Sequence, residues 1–262
     1  MNTETLFLSI TQGISEILPI SSSVNLHLFA KLFHFDTFDF GTKIALHCGS
    51  LLTFLIYFGR EIIDILKGLF TRSKKLKLTF FWPLIVGTIP VVILGFIARN
   101  FVKEFDSSFI MGISCAVFGI LLFMFDKLAG DSRRAANTFL PSIPKAFIIG
   151  CFQAVSIFPG ISRLGICITA CRFLNIDRKN SILFSMLLAI PSICGSTTLE
   201  IVENMNHNAT ANMFSLNSCM GILLTMLIGL ICIRLFVYYM KKHGFLHIAI
   251  YRIIIGISLL FM

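Results

Sequence analysis

Glu16 and Arg163 are the residues of this chain best placed to do chemistry, because each is a strong charge inside an apolar stretch. Glu16 lies in Gln12-Gly13-Ile14-Ser15-Glu16-Ile17-Leu18-Pro19-Ile20-Ser21-Ser22-Ser23. Arg163 lies in Gln153-Ala154-Val155-Ser156-Ile157-Phe158-Pro159-Gly160-Ile161-Ser162-Arg163-Leu164-Gly165. Both stretches read Gln-x-x-Ser, then two or three residues, then Pro-x-x-Ser. In a membrane protein, paired interrupted segments in corresponding halves point to a binding site where the halves meet. A charge at that depth is expensive, so function is its first explanation.

The residue types suggest a division of labour. Glu16 is a general base or a metal ligand, or else a carboxylate at a helix end bonded to backbone amides. Gln12 lies four residues earlier, on the same face of a helix. Ser21, Ser22 and Ser23 follow Pro19, and at least one is expected to cap a helix. Free amides and hydroxyls at such a helix start form an anion cradle. Arg163 stands beside Ser162, and Gly160 and Gly165 allow close backbone approach. Its guanidinium either pairs with Glu16 or grips a phosphate or pyrophosphate. A carboxylate that handles water or metal, facing a phosphate clamp, implies phosphoryl transfer or hydrolysis of an anionic headgroup. A transporter of such a lipid would have the same anatomy.

The elements that position these residues must be membrane helices. Apolar residues make up 56% of the 262, and charged residues only 13%, too few to solvate a soluble surface of this size. Mean hydropathy is +0.88. No polar segment reaches the roughly 50 residues that a separate soluble domain needs. The start lacks the basic region and cleavage site of a secretory signal. The net charge of +9 sits in short loops between apolar runs, as the positive-inside bias would place it, and no nucleic-acid groove is expected. The eight cysteines lie mostly inside apolar runs and read as small hydrophobes. Cys167 and Cys171 lack the partners of a zinc site. His47 reads as a packed histidine bonded to a carbonyl.

Six apolar runs are long enough to span: 43–59, 78–98, 109–125, 181–200, 214–236 and 245–262. The loops at 60–77, 126–145, 172–180 and 237–244 are basic and belong in the cytoplasm. Those at 99–108 and 201–213 are balanced or acidic and belong outside. Six spans satisfy this pattern only if the broken stretches, about 4–31 and 146–171, enter and leave on their own sides. The expectation is an all-α integral membrane fold, one domain over 1–262. It has six transmembrane helices and two re-entrant helix-loop-helix pairs in an inverted-topology repeat, approximately 1–126 and 146–262. The two tips would meet in a polar cavity, since irregular backbone at membrane depth must be buried in protein or line water. The alternative is eight kinked spans, which would put the basic 172–180 loop outside.

The first stretch, Gln12 to Ser23, resembles the signature of the undecaprenyl-pyrophosphate phosphatase family, the bacitracin-resistance type. Pro159-Gly160-Ile161-Ser162-Arg163-Leu164-Gly165 resembles that family's second motif. Leu46-His47-Cys48-Gly49-Ser50-Leu51, Gly87-Thr88-Ile89-Pro90, Phe184-Ser185 through Pro191, and Ala249-Ile250-Tyr251-Arg252 extend the resemblance along the chain. The resemblance implies a multi-pass hydrolase of the bacterial inner membrane, with its active site facing outward. It would remove the terminal phosphate of a polyprenyl pyrophosphate lipid and regenerate the carrier for cell-wall precursors. It implies support by Mg²⁺ or Ca²⁺, with Glu16 and Gln12 as candidate metal ligands, and leaves a homodimer open. Glu16, Ser22 and Arg163 take the catalytic positions. Gln12, Ser21, Ser23, Asn25, Ser162 and Gly160 take substrate-binding ones. Two other readings on the same scaffold are a polyprenyl-lipid flippase and a catalytically weakened lipid-binding member.

The chain departs from the family pattern. A Gly-His at the end of the first motif is Val24-Asn25 here, and asparagine cannot shuttle a proton near neutral pH. His27, two residues on, would face elsewhere on a helix. A serine beside Arg163 is Leu164, a threonine is Cys167, a glutamate is Leu183, and an acidic position is Lys43. Tyr251 and Arg252 either brace the site or bind a lipid headgroup.

Overall fold

A computed structural model describes residues 2–35, 40–70, 81–102, 105, 107–130, 141–204 and 215–261. The described residues form helices and no strand. This follows from the apolar runs: lipid offers backbone groups no hydrogen-bond partner, and a helix satisfies them within one segment. The helices are α1 (Thr3–Ser15), α2 (Ser22–Phe33), α3 (Phe40–Tyr57), α4 (Gly59–Phe70), α5 (Trp82–Val102), α6 (Ser108–Ala129), α7 (Ile143–Ala154), α8 (Arg163–Phe173), α9 (Arg178–Asn204), α10 (Leu216–His243) and α11 (Leu246–Leu260).

Three of them, α6, α9 and α10, are long and apolar enough to cross a membrane. The 22 residues of α6, at about 1.5 Å each, cover the roughly 30 Å of a hydrocarbon core. Shorter apolar stretches occupy Trp82–Ala98, Ile143–Ile157 and Leu246–Leu260. Phe109, Ile113, Val117, Ile120 and Met124 make an exposed apolar stripe along α6, and Met220, Leu223, Leu227, Ile231 and Leu235 make another along α10. Stripes of this size would be association sites in water, whereas lipid is their natural solvent. The chain is an all-helical membrane protein.

The sequence reading treats 60–77 as loop, but its first part is the helix α4. Ile63 and Leu66 are exposed on it beside Arg60, Asp64 and Lys67, the two-faced pattern of a helix lying in a membrane interface. The basic residues Arg72, Lys74, Lys75, Lys77, Arg133 and Arg134, and Lys103, Glu104 and Asp106 of the 99–108 loop, lie outside the described residues.

Each proline-broken stretch folds as two helices joined by an irregular tip. Proline lacks the N–H a helix interior needs, and α1 stops before Pro19 just as α7 stops before Pro159. The tips are 16–21 and 155–162, the second beginning with a short 3₁₀ turn at Val155–Ile157. Packing crosses between the halves. From the first half, α1 and α3 lie on α10; from the second, α7 and α9 lie on α5. The pair α6 and α11 closes the bundle, with Gly112 and Gly256 at their crossing. A methyl on either glycine would lie about 2.5 Å from the other's carbonyl oxygen, so only glycine permits the approach. At the α5–α7 crossing a methyl on Gly150 would lie 2.2 Å from Gly87 O.

Candidate active site

The two tips touch. The Gly160 amide donates to Ser23 Oγ at 3.5 Å. Gly160 has φ +89°, and a methyl there would sit 2.5 Å from Met111 O, so the second tip can pack on α6 only as glycine. Arg252 of α11 binds both tips from below. Its side chain is fully buried and donates to three carbonyls: Cys115 O at 3.1 Å, Pro19 O at 3.2 Å and Gly160 O at 3.4 Å. Room for it comes from Gly119 and Gly165, whose added methyls would meet Arg252 atoms at 2.8 and 2.7 Å. Of the two roles open to Arg252 in the sequence, its bonds are those of a brace. Tyr251, its neighbour, donates from its hydroxyl to Asn25 Oδ1.

Both tips line one cavity of about 710 Å³. Glu16, Ser21, Ser22 and Ser23 reach it from the first, and Ser156, Pro159, Ser162 and Arg163 from the second. Glu16 caps the C-terminal end of α1, where the helix dipole is negative, so this carboxylate attracts cations. Its Oε2 accepts from Gln12 Nε2 at 3.1 Å, the i, i+4 contact expected of one helix face. No ion pair joins Glu16 to Arg163 among the described residues. The two charges therefore share a cavity without neutralising each other by contact.

The serines behave differently from a simple cap. Ser21 occupies the N-cap position of α2 with φ +69°, an uncommon conformation for a residue with a side chain, and makes no capping bond. Its hydroxyl turns to Ser23 Oγ at 3.1 Å instead. Ser22 follows at the first helical position, lining the cavity. At the second tip Ser162 does cap, accepting from the Gly165 amide at 3.1 Å, and Arg163 opens α8. The cavity thus faces the positive ends of two helices.

Two of the expected substrate contacts are internal fasteners. Gln12 is fully buried and also reaches Ser50 Oγ at 3.3 Å and His47 Nδ1 at 3.5 Å. Asn25 is 2% exposed; its amide donates to Ser21 O at 2.8 Å and Ile20 O at 3.1 Å, holding the first tip closed. His27 points to Ser108 Oγ at 2.8 Å, on the far side of α2.

Other lining residues were not assigned to the site from the sequence. His47, expected to be packed against a carbonyl, lines the cavity. Lys43, one turn before it on α3, does so too, and so do Ser196 and Glu200 on α9. The i, i+4 spacing of Lys43 with His47 and of Ser196 with Glu200 signals a shared face on each helix, but not what lies opposite. A second, more apolar space of about 420 Å³ adjoins the first, lined by Val91, Val92, Gly95 and Phe96 of α5 and by Leu199 of α9. Arg163, Ser156 and Glu200 border both.

The fold and site together define an all-helical membrane protein whose two helix-break-helix tips enclose a polar, anion-suited cavity. The family model described as "Bacitracin resistance protein BacA" matches residues 5–258. The undecaprenyl-diphosphatase of Pelagibacter ubique is 36% identical over 261 residues, covering 98% of this chain and 95% of that one. Its counterpart from Caldicellulosiruptor bescii is 34% identical over 259 residues, covering 98% and 96%. Undecaprenyl-diphosphatase 4 of Bacillus cereus is 34% identical over 258 residues. The chain belongs to the bacitracin resistance protein BacA family.

Proposed function

We propose that this protein hydrolyses undecaprenyl pyrophosphate, releasing phosphate and returning the lipid monophosphate carrier to cell-wall synthesis. The bacitracin resistance named in its family follows from removal of the pyrophosphate lipid. One observation carries the reading at the level of the site. Arg163 Nη1 is buried and has no hydrogen-bond partner among the described residues, although its side chain lines the cavity. A buried donor left unmade is costly, and a phosphate oxygen would satisfy it.

In this mechanism Arg163 and the amides at the start of α2 and α8 hold the pyrophosphate oxygens. Ser22 Oγ donates a further hydrogen bond. A water held by Glu16 attacks the terminal phosphorus and passes its proton to the carboxylate, while the bond to the bridging oxygen breaks. Charge accumulating on the leaving phosphate is met by Arg163. The described residues contain no cluster of three or more His, Cys, Asp or Glu side chains. One carboxylate is enough for a hard divalent cation that takes its remaining ligands from substrate phosphate and water. Gln12 does not line the cavity, but its Oε1 is a buried acceptor without a hydrogen-bond partner among the described residues and would be the candidate second ligand beside Glu16. When bound there, Mg²⁺ or Ca²⁺ would neutralise phosphate charge.

The reading includes a topology of six spans and two re-entrant pairs in inverted repeats, approximately 1–126 and 146–262. The exchange of packing, in which the first helix of each half's broken pair lies on a helix of the other half, α1 on α10 and α7 on α5, supports it. The basic segments at 60–77, 126–145, 172–180 and 237–244 would face the cytoplasm of a bacterial inner membrane, with the cavity opening outward. The test is phosphate release from undecaprenyl pyrophosphate by purified protein in detergent with Mg²⁺ or Ca²⁺, beside Glu16→Gln and Arg163→Ala. Release well above both variants is expected; equal release from all three would sink the enzyme reading.

A further inference from the structure

Lys43 and Glu200 form an ion pair of 3.0 Å inside the headgroup cavity. The pair bridges α3 and α9, one helix from each half. Its side chains are 47% and 33% exposed, so solvent screens the attraction and a stronger anion can replace the carboxylate at small cost. Glu200 also borders the adjoining apolar space, so the pair stands where the two spaces join.

The charges around the cavity make this pair more than a strap. Among the described lining residues Glu16 and Glu200 contribute two acids and Lys43 and Arg163 two bases, so these four charges balance before substrate enters. A pyrophosphate monoester carries more negative charge than one guanidinium answers. Arg163 can serve one phosphoryl group by a planar, bidentate contact. The second phosphoryl group needs another donor, and among the described residues of the cavity wall Lys43 is the other lysine or arginine.

We infer that Lys43 is a second pyrophosphate-binding residue, and that Glu200 holds its ammonium in place until the substrate displaces the carboxylate. Lysine suits the task because it is a compact charge with three donors on a flexible stem, free to turn from one acceptor to another. Displaced Glu200 stays beside the apolar space, where its repulsion disfavours a second anion and helps the monophosphate product leave. The inference rests on the phosphatase reading of the cavity and adds to it a second cation on the cavity wall.

Lys43→Gln, Glu200→Gln and the double variant test it, with kcat and KM measured for undecaprenyl pyrophosphate. A second readout is the rise in melting temperature caused by the same lipid. Lys43→Gln is expected to raise KM about tenfold with kcat changed by less than about threefold, and to shrink the thermal shift. Glu200→Gln releases the ammonium, so KM should fall about two- to fivefold, and the double variant should match Lys43→Gln. An unchanged KM in Lys43→Gln overturns the inference. So does a rise in KM in both single variants with lower melting temperatures in the absence of lipid, which would mark the pair as a structural strap. If the wild type binds the lipid without releasing phosphate, the phosphatase reading fails, and the thermal shifts still decide whether Lys43 binds pyrophosphate.

Discussion

At Arg163 the geometry asks for a ligand. Its guanidinium opens a helix, borders two spaces and leaves one nitrogen without an acceptor among the described residues. Lysine keeps the charge and loses the fork, so Arg163→Lys should lower kcat/KM by about 10²-fold, measured as phosphate release. Glu16→Gln keeps the shape and the contact with Gln12 but removes the carboxylate proposed to accept the proton, for an expected loss of about 10²–10⁴-fold in kcat. If a water held by Glu16 is the attacking group, as proposed, Ser22→Ala should retain a rate clearly above Glu16→Gln; a rate equal to Glu16→Gln would assign the attack to Ser22. Asn25 carries a different lesson. The sequence presents it as a lost histidine and a catalytic defect. In the fold its amide ties Ile20 O and Ser21 O, and its oxygen receives the Tyr251 hydroxyl. Imidazole cannot reproduce those three bonds, so Asn25→His should lower the melting temperature and give no gain in rate. A large gain would show that the site lacks a proton carrier.

At the scale of elements, the two tips are held by one side chain from elsewhere. Arg252 ties the irregular backbone of both tips to α6 through three carbonyls, with no carboxylate partner among the described residues. Arg252→Met removes the side-chain donor from the buried tip carbonyls of Pro19 and Gly160, which should cost about 2–5 kcal/mol of stability and let the tips separate. Thermal unfolding measures the first effect. The second is a loss in kcat that persists well below the melting temperature; full activity there would show that the tips need no clamp. Neighbouring sequence gives no hint of this role. Tyr251-Arg252 lies near the chain end, and a basic-aromatic pair there fits a lipid anchor equally well. Only its burial between Gly119 and Gly165 separates the two roles.

At the scale of the molecule, a second buried charge cluster stands away from the active cavity. Asp126 at the end of α6 accepts from Arg172 Nε at 2.8 Å and Arg178 Nε at 2.9 Å, and the Phe245 amide reaches the same carboxylate at 3.4 Å. This joins the ends of α6 and α8, the start of α9 and the turn between α10 and α11. Asp126→Ala would strand the buried Arg172 and should cost about 3–5 kcal/mol in thermal unfolding, with little direct effect on KM. The same end of the molecule carries the 172–180 loop whose side of the membrane decides the topology. A cysteine introduced at the exposed Asn175 should resist a membrane-impermeant thiol reagent applied from outside intact cells. Ready labelling would favour eight kinked spans.

The sequence by itself determined that the chain is a bundle of membrane helices, because apolar runs of such length in lipid must bond their own backbone. It also located the broken tips and their two charges, because proline, glycine and an isolated charge act within a few residues of themselves. Helical periodicity joined Gln12 to Glu16 for the same local reason. The helix α4 escaped because its polar face made it read as loop. What only the tertiary structure decided lies across long separations. Lys43 meets Glu200 over 157 residues, Tyr251 meets Asn25 over 226, and Arg252 meets Pro19 over 233. Periodicity tells which residues share a face of one helix; it does not tell which helix lies opposite. That choice is made by close packing at Gly112, Gly150 and Gly256, and it turned two charged breaks into one cavity with a clamp beneath it and a lysine on its wall.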